Sequence, residues 1–208
     1  DQEYDSLKQQ IIDLENKYKF LKSKLSPSIS VGFKPSKNFK KIKHKVPMLS
    51  LGNAFNEEDL RNFEKKIINF LSLKDTNSIE YSAEPKIDGI SASLIYVNGK
   101  LIKGLSRGDG NEGEDITQNL KTIKDIPLEI TKNNFPEEID IRGEVFIEND
   151  DFKKINDKFA NPRNAASGSL RQKNSLITSE IPLRFIAYTY GYEKKMNINN
   201  QTSFLENL

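Results

Sequence analysis

Apolar residues recur at Tyr4, Leu7, Ile11, Leu14, Tyr18 and Leu21, in alternating steps of three and four. That spacing predicts an amphipathic helix with one apolar stripe. Residues 22–45 break the period with Pro, Ser and Gly, and KPSKNFKKIKHK carries six lysines. This segment reads as a basic loop or extended arm. A second helix is predicted over 56–73, with Asn56 as N-cap and Glu57, Glu58 and Asp59 in the first turn. Leu60, Phe63, Ile67 and Leu71 form its predicted buried face. From 79 to about 110 the texture is that of strands. Ile90, Ala92, Leu94 and Tyr96 alternate with Ser91, Ser93, Ile95 and Val97, and Asn98-Gly99 then suits a tight hairpin turn that needs positive φ. A returning strand runs from Lys100 to Arg107 and ends in the turn-rich GDGNEGED. Another strand is predicted at about 139–147, a helix at about 150–158, a loop over FANPRNAASGS, and a last strand over IPLRFIAYTYG. Helices first, then hairpin-linked strands, argue for an α+β fold with antiparallel sheets.

A chain of 208 residues holds one large domain, or one with a small appendage. With 36% hydrophobic and 30% charged residues it is a soluble globular type with a highly charged surface. Its 32 basic and 30 acidic residues nearly cancel, so net charge neither requires nor excludes a nucleic-acid partner. There is no cysteine, which excludes disulfides and Cys-ligated zinc within the chain, and His44 is the single histidine, which excludes a histidine-rich metal site. No residue is assigned as a metal ligand. No apolar run approaches the ~20 residues of a membrane helix, and no signal-peptide pattern is present, so a cytoplasmic protein without a membrane partner is expected. The chain opens at Asp1 and closes in NNQTSFLENL, a helix start cut short. Those ends suggest a piece of a longer protein.

The chemistry centres on EPKIDG, residues 84–89. Lys86 and Asp88 stand two apart, which in an extended chain puts both side chains on one face. A lysine is a nucleophile only when deprotonated, so a site must lower its reference pKa of ~10.4. An amine that attacks phosphorus gives a phosphoramide, a reactive carrier for a nucleotide. Taken alone, Lys-x-Asp-Gly is more often a solvated strand end with a turn than a catalytic site. RGDGNEGED reads as a tight turn; it does not follow the EF-hand spacing, and its glycines suit close approach or positive φ. The lysine arm at 34–45 is either a solvated face or a surface that steers DNA by its phosphates. Arg163, Asn164 and Arg171 lie near an Asn-Pro helix start in NPRNAASGSLRQ and either touch DNA phosphates or buttress the site.

Together these segments resemble a known family. KIDG is similar to the lysine motif of covalent nucleotidyltransferases. HKVPMLSLGNAF (44–55), SRGDGNEGEDIT (106–117), IRGEVFI (141–147) and FANPRNAASGSLRQ (159–172) resemble, in order and spacing, segments of NAD-dependent bacterial DNA ligases. The resemblance spans nearly the whole chain and implies an adenylation domain of nucleotidyltransferase fold over 26–208. Residues 1–25 resemble the end of the helical region that holds the nicotinamide mononucleotide half of NAD.

The resemblance also implies roles. Asp1, Tyr4 and Asp5 match positions around nicotinamide mononucleotide, although Tyr4 also reads as the start of the core stripe. Ser50 and Leu51 match the lining of the adenosine pocket. Glu84 matches the acceptor of the adenine amino group, and Tyr188 the aromatic that stacks on adenine. Lys86 matches the AMP acceptor; Asp88 orients the amine or binds a ribose hydroxyl. Arg107 matches a residue at the ribose end of the nucleotide, and Glu144 one that contacts the ribose and the metal region. The implied reaction takes AMP from NAD onto Lys86 with magnesium, passes it to the 5′-phosphate of nicked double-stranded DNA, and seals the nick in replication and repair. A monomer is expected. Two later lysine-bearing motifs of the family would lie beyond Leu208, so the 208 residues alone are not expected to seal nicks and should self-adenylate poorly. Two alternatives remain at this stage: an ATP- or GTP-using nucleotidyltransferase, and a nucleotide-binding fragment without turnover.

Overall fold

Strict alternation along two strands decides the architecture. In the computed structural model, which describes residues 2–23, 26, 39–74, 79–132, 135–194 and 200–207, β2 (Ile90–Val97) pairs antiparallel with β5 (Glu138–Phe146). β3 (Lys100–Ser106) and β6 (Arg184–Lys194) flank them in a four-stranded antiparallel sheet of order β3-β2-β5-β6. Leu94 lies opposite Ile141 and Tyr96 opposite Ile139, so one face is apolar. Ser91 lies opposite Glu144 and Ser93 opposite Arg142, so the other face is polar.

The apolar face carries the core. Ala92, Leu94, Tyr96, Ile139, Ile141 and Val145 pack with Ile116, just before a helix, and with Leu120, Ala165, Ala166, Leu170 and Phe204 from the helices. These helices are α3 (Thr117–Leu120), α5 (Pro162–Leu170) and α7 (Gln201–Glu206). The Tyr96 hydroxyl donates to the Pro127 carbonyl at 2.7 Å, so its ring is buried without an orphaned polar atom. The hairpin turns at Asn98 (φ 49°) and Gly99 (φ 77°), as the dipeptide predicts.

The lysine-rich arm continues as a short strand. β1 (Lys41–Lys43) pairs antiparallel with β4 (Glu112–Glu114), a second, two-stranded sheet in which Lys41 meets Glu114 and Lys43 meets Glu112. Residues 34–38 of the arm lie outside the described residues. The α+β class with antiparallel sheets is therefore the observed one. Among the described residues, no helix is long and apolar enough to cross a membrane.

Several local expectations need correction. α1 (Gln2–Lys17) and α2 (Glu57–Leu71) form, and Asn56 caps α2 by accepting from the Asp59 amide at 2.9 Å. The predicted buried face of α2 is not buried: Leu60, Phe63 and Leu71 are each more than half exposed. Periodicity sets which residues share a face, but not whether an element packs over it. Residues 79–89 form no strand. The FANPRNAASGS segment is mostly helix, because Asn161 accepts from the Asn164 amide at 2.8 Å, Pro162 sits at the first turn and Ala165 and Ala166 are buried. The helix predicted at 150–158 is a single turn, α4 (Asn149–Phe152), followed by a 3-10 turn. α6 (Ser175–Ser179) was not foreseen.

Candidate active site

The site grows from the polar face of the sheet. Ser91 donates to Glu144 at 2.9 Å, and Ser93 donates to Asp140 at 2.6 Å. Arg142 donates to Asp140 from Nε at 3.1 Å and Nη2 at 3.0 Å, with both side chains 8% exposed. The same guanidinium donates to the backbone carbonyls of Val46 and Pro47. A buried ion pair thus clamps residues 44–51 across the sheet as a strap.

The strap is laced to the turn at 107–113. The His44 amide donates to the Asn111 carbonyl and the Met48 amide to the Gly110 carbonyl, both at 2.8 Å. His44 is buried, and its neutral ring donates from Nε2 to the Arg107 carbonyl at 3.2 Å. Burial pushes its pKa below the ordinary value. The turn is built on Asp109, whose carboxylate accepts the Asn111 and Glu112 amides at 2.9 Å. Those amides lower the Asp109 pKa. Gly108 and Gly110 take positive φ, as expected of this segment. Strap and turn together present Ser50 and Arg107, whose Nη1 donates to Ser50 Oγ at 3.4 Å. Leu49 and Leu51 stand 82% and 78% exposed on the strap, an apolar surface held in place with nothing described covering it.

The lysine segment approaches from the other side. A Cβ built on Gly89 would lie 2.2 Å from the Val145 carbonyl oxygen and 3.0 Å from Glu144 Cγ. Only glycine lets the chain lie this close to β5. Lys86 and Asp88, immediately before it, are exposed. Asp88 accepts from Arg163 at 2.6 Å, an ion pair from the first turn of α5. Glu144 is buried, and desolvation raises its pKa; the Ser91 hydrogen bond and the charges of Lys86, Arg163 and Arg107 oppose that rise. Lys86, Arg107, Arg163 and Glu144 therefore share one electrostatic neighbourhood.

Gln201 links Glu84 to the backbone of Tyr188. Glu84 accepts from Ser82 Oγ and Gln201 Nε2, each at 3.0 Å, and Gln201 also donates to the Tyr188 carbonyl. Tyr188 is half-buried beside Ser91 and Glu144, and desolvation raises its pKa. Of the predicted residues, the structure thus groups Ser50 with Arg107 by a hydrogen bond, sets the charges of Lys86 and Arg107 each to act on Glu144, and links Glu84 to Tyr188 through Gln201. Asp1 lies outside the described residues, and Tyr4 and Asp5 fall on the first turns of α1. Sequence reasoning gave Arg163 no contact with Asp88 and missed Ser91 and Gln201. Ser91 was legible as the polar partner in the β2 alternation; Gln201 is 117 residues from Glu84 and carried no local signal.

Among the described residues, no group of three or more His, Asp or Glu side chains is arranged to hold a metal ion. Glu144 is the carboxylate that feels the Lys86 charge, and one carboxylate would suffice for magnesium, which draws its remaining ligands from substrate phosphates and water.

Comparison with known proteins places this geometry. A family model described as NAD-dependent DNA ligase adenylation domain matches residues 36–208. A protein of Pelagibacter ubique (strain HTCC1062) named DNA ligase is 88% identical over 208 residues, which cover 100% of this chain and 31% of that protein. A DNA ligase of Parvibaculum lavamentivorans is 47% identical over 214 residues, covering 99% of this chain and 30% of that protein. One from Bradyrhizobium sp. (strain ORS 278) is 45% identical over 214 residues, with the same coverage. The chain spans less than a third of the length of these relatives.

Proposed function

The chain belongs to the NAD-dependent DNA ligase adenylation domain family, and from that premise we propose that Lys86 takes AMP from NAD. The supporting observation is the close approach at Gly89, which brings the lysine segment against β5 beside Glu144, with Arg107 and Arg163 near. The deprotonated Lys86 amine attacks the adenylyl phosphorus. A P–N bond forms as the P–O bond to nicotinamide mononucleotide breaks. Arg107 and Arg163 offset negative charge on the transferring group, which is where catalysis of phosphoryl transfer is won. Asp88 orients the amine or accepts a ribose hydroxyl, and Glu144 contacts the ribose. Glu84 accepts from the adenine amino group, Tyr188 stacks on the ring, and Ser50 and Leu51 wall the adenosine. Asp1, Tyr4 and Asp5 contact the nicotinamide mononucleotide half, with residues 1–25 as the end of the region that binds it. Glu144 would be the carboxylate that holds magnesium together with the substrate phosphates, and the ion would supply charge neutralisation at phosphorus.

The protein that carries this chain then passes AMP to the 5′-phosphate of nicked duplex DNA and seals the nick, working as a cytoplasmic monomer. Transfer of radiolabel from adenylate-labelled NAD, but not from labelled ATP, to the protein is the expected result. Label from ATP alone would replace NAD as donor, and reversible binding without covalent label would leave only a nucleotide-binding module.

A further inference from the structure

We propose that Gln201 is a positioning residue for adenine recognition: it holds the Glu84 carboxylate and the Tyr188 backbone in one arrangement, so that the edge and the face of the base are read together. The inference rests on the roles given to Glu84 and Tyr188 in the ligase reading above. Gln201 opens α7 and donates from Nε2 to Glu84 Oε1 at 3.0 Å and to the Tyr188 carbonyl. A carboxylate and a backbone carbonyl offer only acceptors to this amide. The Gln201 side chain is therefore set with its NH2 group toward them, and both of its N–H bonds are used.

Each of the two partners needs an anchor from elsewhere in the fold. Residues 79–89 form no strand, and Glu84 is exposed on them. Ser82 Oγ also donates to Glu84 Oε1 at 3.0 Å, but it stands two residues away on the same segment and moves with it. Both described donors use Oε1, so Oε2 is the oxygen left to take a donor from a ligand. Tyr188 sits at an irregularity of β6. Thr189 lies opposite Arg142 and Ala187 opposite Gly143, so Tyr188 is the extra residue of a bulge. A bulged residue loses its partner in the ladder, and Gln201 supplies a donor for its carbonyl. The helix that carries Gln201 is itself fixed. Asn200 caps it by accepting from the Ser203 amide at 2.8 Å, and Phe204 is fully buried with its ring centroid 5.1 Å from that of Tyr190.

The chemistry of the base gives this link a consequence. Adenine presents an amino group at the ring position where hypoxanthine and guanine present a carbonyl oxygen. A carboxylate held in place accepts from the first and repels the second. A carboxylate free to swing into water meets either base at little cost, and the discrimination is lost. Stacking on Tyr188 sets where the base edge lies. Because one amide holds both groups, the position of the stack and the position of the acceptor are fixed relative to each other.

The test uses the whole protein that carries this chain and follows labelling of Lys86 from NAD and from nicotinamide hypoxanthine dinucleotide. The parent should prefer NAD by ~10- to 100-fold in kcat/KM, the size of one hydrogen bond to a charged group. In Gln201→Met, which keeps the length of the side chain, that preference should fall about 10-fold, with the loss for NAD on KM more than on kcat, as for a contact made equally in the ground and transition states. Gln201→Glu, which puts an acceptor in place of the donor, should show the same fall and guards against a folding defect peculiar to the first variant. Glu84→Ala should lose the preference alone, and adding Gln201→Met to it should lower the preference no further. A general loosening of α7 would instead add to the effect of Glu84→Ala, and that result overturns the proposal. So does a preference that survives both Gln201 variants while Glu84→Ala abolishes it. Absence of Lys86 labelling from NAD in the parent would defeat the ligase reading itself, a failure distinct from these.

Discussion

Arg142 and Lys86 are both cations of this half of the molecule, yet they are held by opposite means. Arg142 is 8% exposed and makes four hydrogen bonds, two to Asp140 and two to strap carbonyls. Lys86 is exposed, on a segment without regular structure whose register against the sheet comes from the close approach at Gly89 and the exposed Asp88–Arg163 pair. One wall is held by buried contacts. The other carries Lys86, the residue proposed to react, on chain that few buried contacts constrain. The difference teaches that stability and reactivity are separable here: substitutions in the strap wall should cost folding free energy, and those in the lysine segment should cost rate.

The largest effect is expected at Arg142. Arg142→Met removes one partner of a buried pair and leaves Asp140 with only Ser93, so unfolding in urea should show a loss of about 3–5 kcal/mol. A loss under ~1 kcal/mol would mean that the strap does not depend on the clamp. In the lysine segment, Gly89→Ala should lower the rate of adenylate formation roughly 100-fold, because a 1 Å misplacement of reacting atoms costs about that much. Unchanged kinetics would show that the close approach does not position Lys86. Arg163→Gln should change stability by less than ~1 kcal/mol, as exposed pairs do, while still slowing transfer. A larger stability loss would erase the distinction between the two walls.

The smallest expected effect is a pH dependence. Burial holds the His44 pKa below its unfolded value of ~6.5. Its contribution to stability is therefore fully present above that pH and is lost as pH falls through the lowered folded value. His44→Gln keeps a donor for the Arg107 carbonyl and has no titration there. Urea midpoints of this variant should change less between pH 7.5 and pH 5.5 than those of the parent; equal changes would remove His44 as the cause. Glu144 has the opposite sign. Its raised pKa means that its stabilising contribution is present below ~4.3 and is lost as pH rises through the folded value.

Local chemistry was readable from the sequence wherever neighbours in the chain carry it. Ile90 to Val97 announced a two-faced strand, Asn98-Gly99 its turn, and Asn56 a helix cap; all three stand in the structure. Leu60, Phe63 and Leu71 announced a face correctly, but its burial depends on what packs there, and the structure leaves it exposed. Asn161 and Pro162 marked a helix start that stands in the structure, but the glycine and serines that follow hid how far the helix runs. The site was legible as a set of segments but not as a set of contacts. Arg142 with Val46, Arg163 with Asp88 and Gln201 with Glu84 are joined across 96, 75 and 117 residues, distances over which periodicity has no reach.

The central claim is that the Lys86 amine forms the bond to adenylate. Intact mass and peptide mapping of the protein that carries this chain, after incubation with NAD and magnesium, test it directly. One added AMP is expected, located on the peptide bearing Lys86 and missing in Lys86→Ala. An adduct on another residue, or one that persists in Lys86→Ala, would contradict it.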